Sequence, residues 1–130
     1  MPAALNVPAV LRGSIVTIII AVPAALVIGA LGDTDDGTNQ SNWVLLAFLA
    51  VVIAYIVGGW VAGRRSASGP FLNGAAASAG GFVVVQVVAW IVSGDGINIL
   101  GAVFNLLLAA TIGVVGAGIG GMRGARPDAD

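Results

Sequence analysis

The chain has 130 residues, of which 58% are hydrophobic and only 8% are charged, and its formal net charge is −1. A water-soluble domain of this size could not bury that much apolar surface, so the composition excludes an ordinary soluble fold. The chain has no Cys and no His, which excludes disulfides, thiolate and imidazole chemistry, and metal sites built on those ligands.

Four apolar runs follow one another along the chain, at about 11–31, 43–63, 71–93 and 97–122. At about 1.5 Å per residue, a helix of such length crosses a hydrocarbon core roughly 30 Å thick. The sequence therefore predicts an all-α polytopic membrane protein with four transmembrane helices in two antiparallel hairpins. We expect one membrane domain over 1–130, ending in a short polar tail at 123–130.

The first apolar run resembles the start of a signal peptide, because Arg12 precedes the uncharged apolar stretch Ile15–Leu31. It is longer than the roughly 7–15 apolar residues of a signal peptide, so we expect a retained helix rather than a cleaved leader. The segment 1–10 is short and apolar, and we expect it to lie at the membrane surface without forming a long helix.

The charged residues divide between the two sides of this topology. Four aspartates fall in the connections after the first and third runs, whereas every arginine flanks the opposite ends. These arginines are Arg12, Arg64, Arg65, Arg123 and Arg126. Because arginine concentrates on the cytoplasmic side, both termini are predicted inside, with these residues as inner-interface anchors. The basic residues are too sparse for nucleic acid, so the expected partner is the lipid bilayer.

Small residues recur at intervals of about four along three of the predicted helices. The positions expected to mediate helix packing are Gly58, Gly59, Gly63, Ala77, Gly81, Ala109, Gly113, Ala117 and Gly121. In lipid there is no hydrophobic drive between helices, and small residues let their backbones approach closely. The pattern fits contacts within one four-helix bundle or the seam of an oligomer.

Polar residues inside the predicted spans are few. Gln86 and Asn105 fall at one depth on adjacent antiparallel helices, roughly 10–12 Å below the outer surface. We expect an interhelical hydrogen bond between them, and the alternative is a polar patch along a solute path. Asn73, one turn into the third helix, is placed to cap or contact the inner loop.

The sequence offers no constellation of catalytic residues. No carboxylate lies within a predicted span, so an ion-coupling acid is missing. Ser14 and Ser78 have no base partner in their helices, and no carboxylates pair for acid–base work. We expect a protein that is not an enzyme and that binds no cofactor and no metal.

One motif resembles a known family. Its residues are Gly58-Gly59-Trp60-Val61-Ala62-Gly63-Arg64-Arg65, followed by Gly69-Pro70-Phe71-Leu72-Asn73-Gly74. They resemble small uncharacterised bacterial four-helix membrane proteins whose second helix ends in Gly-Gly-aromatic-x-Ala-Gly-Arg. A His often precedes the glycine that Gly74 matches, and here that residue is Asn73. The resemblance implies a multi-pass protein of the bacterial inner membrane and implies no particular activity.

Two functions remain open at this point. The first is an accessory, scaffold or assembly partner of other membrane proteins that acts through helix packing. The alternative is a homo-oligomeric channel or facilitator for a small solute or ion, with a path lined by Gln86, Asn105, Thr111 and Tyr55.

Overall fold

The computed structural model describes residues 4–32, 40–94, 96 and 98–124. Over these residues it contains four α-helices: α1 (Val7–Gly32), α2 (Gln40–Arg64), α3 (Pro70–Ser93) and α4 (Ile99–Gly124). Each helix contains a segment long and apolar enough to cross a membrane, namely Val7–Ile28, Leu45–Arg64, Pro70–Val92 and Ile99–Met122. The predicted all-α fold with four membrane-spanning helices is confirmed. Which end faces the cytoplasm remains a prediction.

The four helices form a rhombus in cross-section. α2 and α3 contact each other at its centre, and α1 and α4 each pack against both of them from opposite sides. Among the described residues, α1 and α4 make no contact with each other. α1 and α3 begin at the same end of the bundle at which α2 and α4 finish, since Asn6 bonds to Asn73 and Gly120 packs on Arg64. We call this the arginine end.

Asparagine residues cap two of the helices. Asn6 accepts a hydrogen bond from the Ala9 N–H at 3.3 Å, and Asn98 accepts one from the Gly101 N–H at 3.2 Å. Each satisfies a backbone donor that the first helical turn would leave unpaired. This corrects the expectation for 1–10, because the Asn6 cap starts α1 at Val7 and not at residue 11.

The reversals between helices are short. The chain turns between α2 and α3 within 65–69. At the other end Ser93 is the last residue of α3 and Gly94 caps the helix, with a left-handed φ of 71° and an N–H that donates to the Trp90 carbonyl at 3.0 Å. A glycine adopts this conformation without the steric cost that a side chain would bring.

The core consists of two columns of contacts that share α2 and α3. The α1 column has three layers, and each layer joins one residue of α1 to one of α2 and one of α3. In order from the arginine end, the layers are Gly13–Ala62–Ala77, Thr17–Gly58–Gly81 and Ala21–Ala54–Val85. The α4 column also has three layers, which are Gly63 with Gly74 and Ala117, Gly59 with Ser78 and Gly113, and Tyr55 with Phe82 and Ala109. Larger side chains enter both columns away from the arginine end, with Val85 in the α1 column and Tyr55 and Phe82 in the α4 column.

Candidate functional site

The small residues predicted to mediate packing lie on faces that touch other helices of the same bundle. They are Gly58, Gly59, Gly63, Ala77, Gly81, Ala109, Gly113, Ala117 and Gly121. A Cβ atom added at Gly59 would contact the Gly113 carbonyl oxygen and lie 2.8 Å from the Gly113 Cα. α2 and α4 therefore touch backbone to backbone, the close approach that small residues permit. Because the bundle itself fills these faces, a partner protein would have to use other surfaces.

Serine hydroxyls join α3 to its neighbours across these contacts. Ser14 in α1 donates to the Ala77 carbonyl at 2.9 Å, and Ser78, which is fully buried, donates to the Tyr55 carbonyl at 2.8 Å. Such bonds satisfy a hydroxyl in a dry interior and hold the helices in register. The two serines thus serve packing.

An asparagine clamp, formed by Asn6 and Asn73, ties the start of α1 to the turn before α3. The Asn73 Oδ1 accepts from the Asn6 N–H at 2.6 Å, and its Nδ2 donates to the carbonyls of Ala4 at 2.9 Å and Gly69 at 2.7 Å. The Asn6 Nδ2 donates to the Arg65 carbonyl at 3.1 Å. A carboxamide, with one acceptor oxygen and two N–H donors, makes these three Asn73 bonds at once.

Three arginines present their side chains at the arginine end. Arg12, Arg64 and Arg65 are all exposed. The Arg64 guanidinium carbon lies 4.8 Å from the centre of the Trp60 ring, which is the geometry of a cation–π contact. Of the other predicted anchors, Arg123 belongs to the last turn of α4, and Arg126 lies outside the described residues.

Gln86 and Asn105 are not hydrogen-bonded to each other within the described part of the chain. Gln86 is half-buried and lines a groove of about 260 Å³ between α3 and α4, together with Phe82 and Leu106. Asn105 is exposed on α4. Equal depth alone does not pair two residues, because the rotation of each helix also has to bring them face to face. Here Leu106 packs on the buried Tyr55 layer, and Asn105 is rotated away from it.

The residues of the predicted solute path do not line one channel in a single copy. Tyr55 is buried against Phe82 and Ala109 in the core. Thr111 is exposed on α4, and its hydroxyl donates to the Leu107 carbonyl at 2.8 Å within the same helix. A path through this set would therefore need several copies, and even then Tyr55 would be covered.

Groups that could hold a metal ion are missing from the part of the chain that the structure describes. All six acidic residues fall outside 4–32, 40–94, 96 and 98–124. What the described residues offer chemically is therefore amide, hydroxyl and guanidinium groups on an apolar scaffold. These groups bind and orient, but they supply no acid–base pair.

No protein family matches the chain, and neither does any curated protein or solved structure. The resemblance of the second helix to bacterial four-helix membrane proteins stays a prediction.

Sequence reasoning missed two structural residues, Asn6 and Asn98. The signal for the first was an asparagine followed by a proline two residues later, since Asn is a preferred N-cap and Pro8 fits the first turn of a helix. For Asn98 the signal was an asparagine just before an apolar run.

Proposed function

We propose that this protein is an accessory, scaffold or assembly partner of other membrane proteins in the bacterial cytoplasmic membrane, without enzymatic activity of its own. The single observation behind the proposal is the exposed amide of Asn105 on a membrane-spanning helix. An unpaired polar group in hydrocarbon costs several kcal/mol, so a helix that carries one gains by meeting a partner.

α4 is the helix whose surroundings leave the most room for a partner. Only 17% of the apolar segment of α4 is buried inside the bundle, against 28–33% for the corresponding segments of the other three spans. The exposed side chains next to Asn105 are apolar, namely Phe104 before it in the sequence and Leu108 one helical turn further on. We call this surface, formed by Phe104, Asn105 and Leu108, the Asn105 face.

Asn105 lies well inside α4 and not at its end. It is six residues past Ile99, so at about 1.5 Å per residue it lies roughly 9 Å inside α4. Water is scarce at that depth, and the amide needs a protein donor or acceptor. A hydrogen bond of this kind between membrane helices contributes about 1 kcal/mol, or about a fivefold change in affinity.

The second candidate is a homo-oligomeric channel or facilitator for a small solute or ion. It is favoured by the exposure of both Asn105 and Thr111 on α4, where they could face a space between copies. Tyr55 no longer belongs to that path, since it is buried in the core.

The experiment is photocrosslinking in native membranes with a photoreactive residue at Leu108, next to Asn105. Ile19, which is 66% exposed on α1, is the matched control position. We expect one protein adduct of defined mass from Leu108, none of that mass from Ile19, and loss of the adduct in Asn105→Leu.

The mass of the adduct separates the two functions. A different protein supports the accessory function, and native mass spectrometry of the gently extracted complex then gives its stoichiometry. An adduct with a second copy favours the facilitator and sends the work to liposome flux assays. Lipid adducts alone would refute both.

A further inference from the structure

A recess of about 380 Å³ lies at the end of α2 and is lined by Trp60, Val61, Arg64 and Arg65. We propose that it is a binding site for the headgroup of an anionic phospholipid, selective for lipids with net negative charge. This site is independent of the proposed function and lies at the other end of the bundle from Asn105. We call it the Trp60 recess.

Two guanidinium groups supply the charge of the Trp60 recess. Arg64 and Arg65 are exposed, and no carboxylate lies within the described residues. Guanidinium groups bind phosphate oxygens with two parallel N–H bonds, a geometry that suits a phosphodiester. Two cations side by side repel the ammonium group of a zwitterionic headgroup, so an anionic lipid is favoured.

Trp60 holds one of these groups in place. The Arg64 guanidinium carbon is 4.8 Å from the Trp60 ring centre, so the cation lies over the face of the indole. Stacking leaves the N–H groups at the edge of the guanidinium free to bond a phosphate. An amphipathic indole at this depth also contacts the glycerol and upper acyl region of a lipid.

The backbone under the recess is fixed by two other elements. A Cβ atom at Gly120 would lie 2.5 Å from the Trp60 carbonyl oxygen and 3.2 Å from the backbone nitrogen of Arg64, so α4 packs directly on this end of α2. On the other side, Asn6 donates to the Arg65 carbonyl at 3.1 Å. The fold therefore fixes the backbone that carries the side chains lining the recess.

The ligand belongs to the membrane rather than to the solution. The recess lies at the end of a span that runs over Leu45–Arg64, and its apolar wall is formed by the half-buried side chains of Val61 and Trp60. A phospholipid reaches both parts at once, with its phosphate on the arginines and its glycerol and upper acyl region against Val61 and Trp60. Basic pockets at the cytoplasmic ends of membrane helices bind anionic headgroups in this way.

The test uses Trp60 as the reporter. The chain has three tryptophans, so Trp43→Phe with Trp90→Phe leaves Trp60 alone. The purified full chain is placed in phosphatidylcholine nanodiscs that contain acyl-brominated phosphatidylglycerol or acyl-brominated phosphatidylcholine at matched mole fractions. Bromine quenches a nearby indole, and quenching is referred to the unbrominated lipid for each variant.

We expect Trp60 to be half-quenched at a lower fraction of the anionic lipid than of the zwitterionic one. Each arginine contributes about fivefold to this preference, so Arg64→Gln and Arg65→Gln each lower it by about that factor. Arg12→Gln removes an exposed arginine that does not line the recess, and the preference should stay unchanged. The preference for the anionic lipid should persist or grow in the double variant Asp128→Asn with Asp130→Asn, because this variant removes tail carboxylates that compete with the lipid phosphate for the arginines.

Three results would overturn the proposal. Equal quenching by the two brominated lipids would mean that the recess does not select charge. An equal loss in Arg12→Gln would mean that only the general surface charge attracts the lipid. Relief of quenching by glycerol phosphate in solution would mean that the ligand is a soluble phosphate.

Discussion

Two glycines of α4, only two residues apart, should respond differently to substitution by alanine. A Cβ atom at Gly116 would contact the Ile56 carbonyl oxygen and lie 2.9 Å from the Ile56 carbonyl carbon and 3.0 Å from its Cα. At Gly118 the nearest atom is Cε1 of Phe71, at 3.3 Å. The first neighbour is backbone, whereas the second is the tip of an exposed side chain that is free to move.

The cost of Gly116→Ala follows from these distances. Carbon atoms pack best at about 3.5–4.0 Å, so α2 and α4 must separate by roughly 0.5–1 Å to admit the methyl group. A gap of that size forfeits about a quarter to a half of the dispersion energy along the contact. Overpacking of this kind costs about 1–3 kcal/mol. Gly118→Ala brings the same gain in helix propensity without the clash, so the difference between the variants isolates the contact.

The assay is unfolding in mixed micelles, with the free energy of unfolding measured against the SDS fraction by tryptophan fluorescence. Gly116→Ala should unfold at a lower SDS fraction than the wild-type chain, and Gly118→Ala at the same or a higher one. Gly59→Ala should behave like Gly116→Ala, because its methyl group would meet the backbone of Gly113. Coincident curves for the two α4 variants would refute the backbone contact between α2 and α4.

Two further substitutions test the polar contacts. Asn73→Leu should destabilise the chain by about 1–3 kcal/mol, because the Ala4 and Gly69 carbonyls lose a donor, and hydrogen exchange at the start of α1 should rise. An unchanged exchange rate would contradict the asparagine clamp. Thr17→Val should cost about 1 kcal/mol in the same unfolding assay, because the valine keeps the shape but loses the hydroxyl that donates to the Gly13 carbonyl at 3.0 Å and to the Ala54 carbonyl of α2 at 3.3 Å. If Thr17→Val lowered the free energy of unfolding as much as Asn73→Leu, the hydrogen bonds of the Thr17 hydroxyl would contribute more to stability than the packing of its methyl group.

The spans could be predicted from the sequence because their cause is local. A run of about 20 apolar residues is what a bilayer requires, and the structure places one in each helix. Helix starts are set by single capping side chains, and these were harder to find. Asn6 lies in a short apolar segment that the sequence predicts to rest on the membrane surface. The structure shows instead that its side chain accepts a hydrogen bond from the Ala9 N–H and caps α1.

The small-residue spacing indicated which faces would pack, but it did not indicate against which helix. A glycine ridge fits any backbone, and the same spacing on α2 and α4 serves a bundle or an oligomer equally well. The predicted hydrogen bond between Gln86 and Asn105 was wrong for a related reason. Depth follows from residue number, whereas rotation follows from the packing of all four helices, and that packing turned Leu106 inward.

The atoms that set the distance between helices differ along the bundle, and this decides where a partner can act. Towards the arginine end the helices contact each other backbone to backbone at Gly59, Gly63 and Gly113, and a helical backbone cannot rearrange to make room for a partner. Farther away the spacing is set by side chains such as Phe82 and Leu106, which line the open groove and can change rotamer. A partner at the Asn105 face would meet the adaptable half. The Trp60 recess lies on the rigid half, so headgroup binding and partner docking should vary independently of each other.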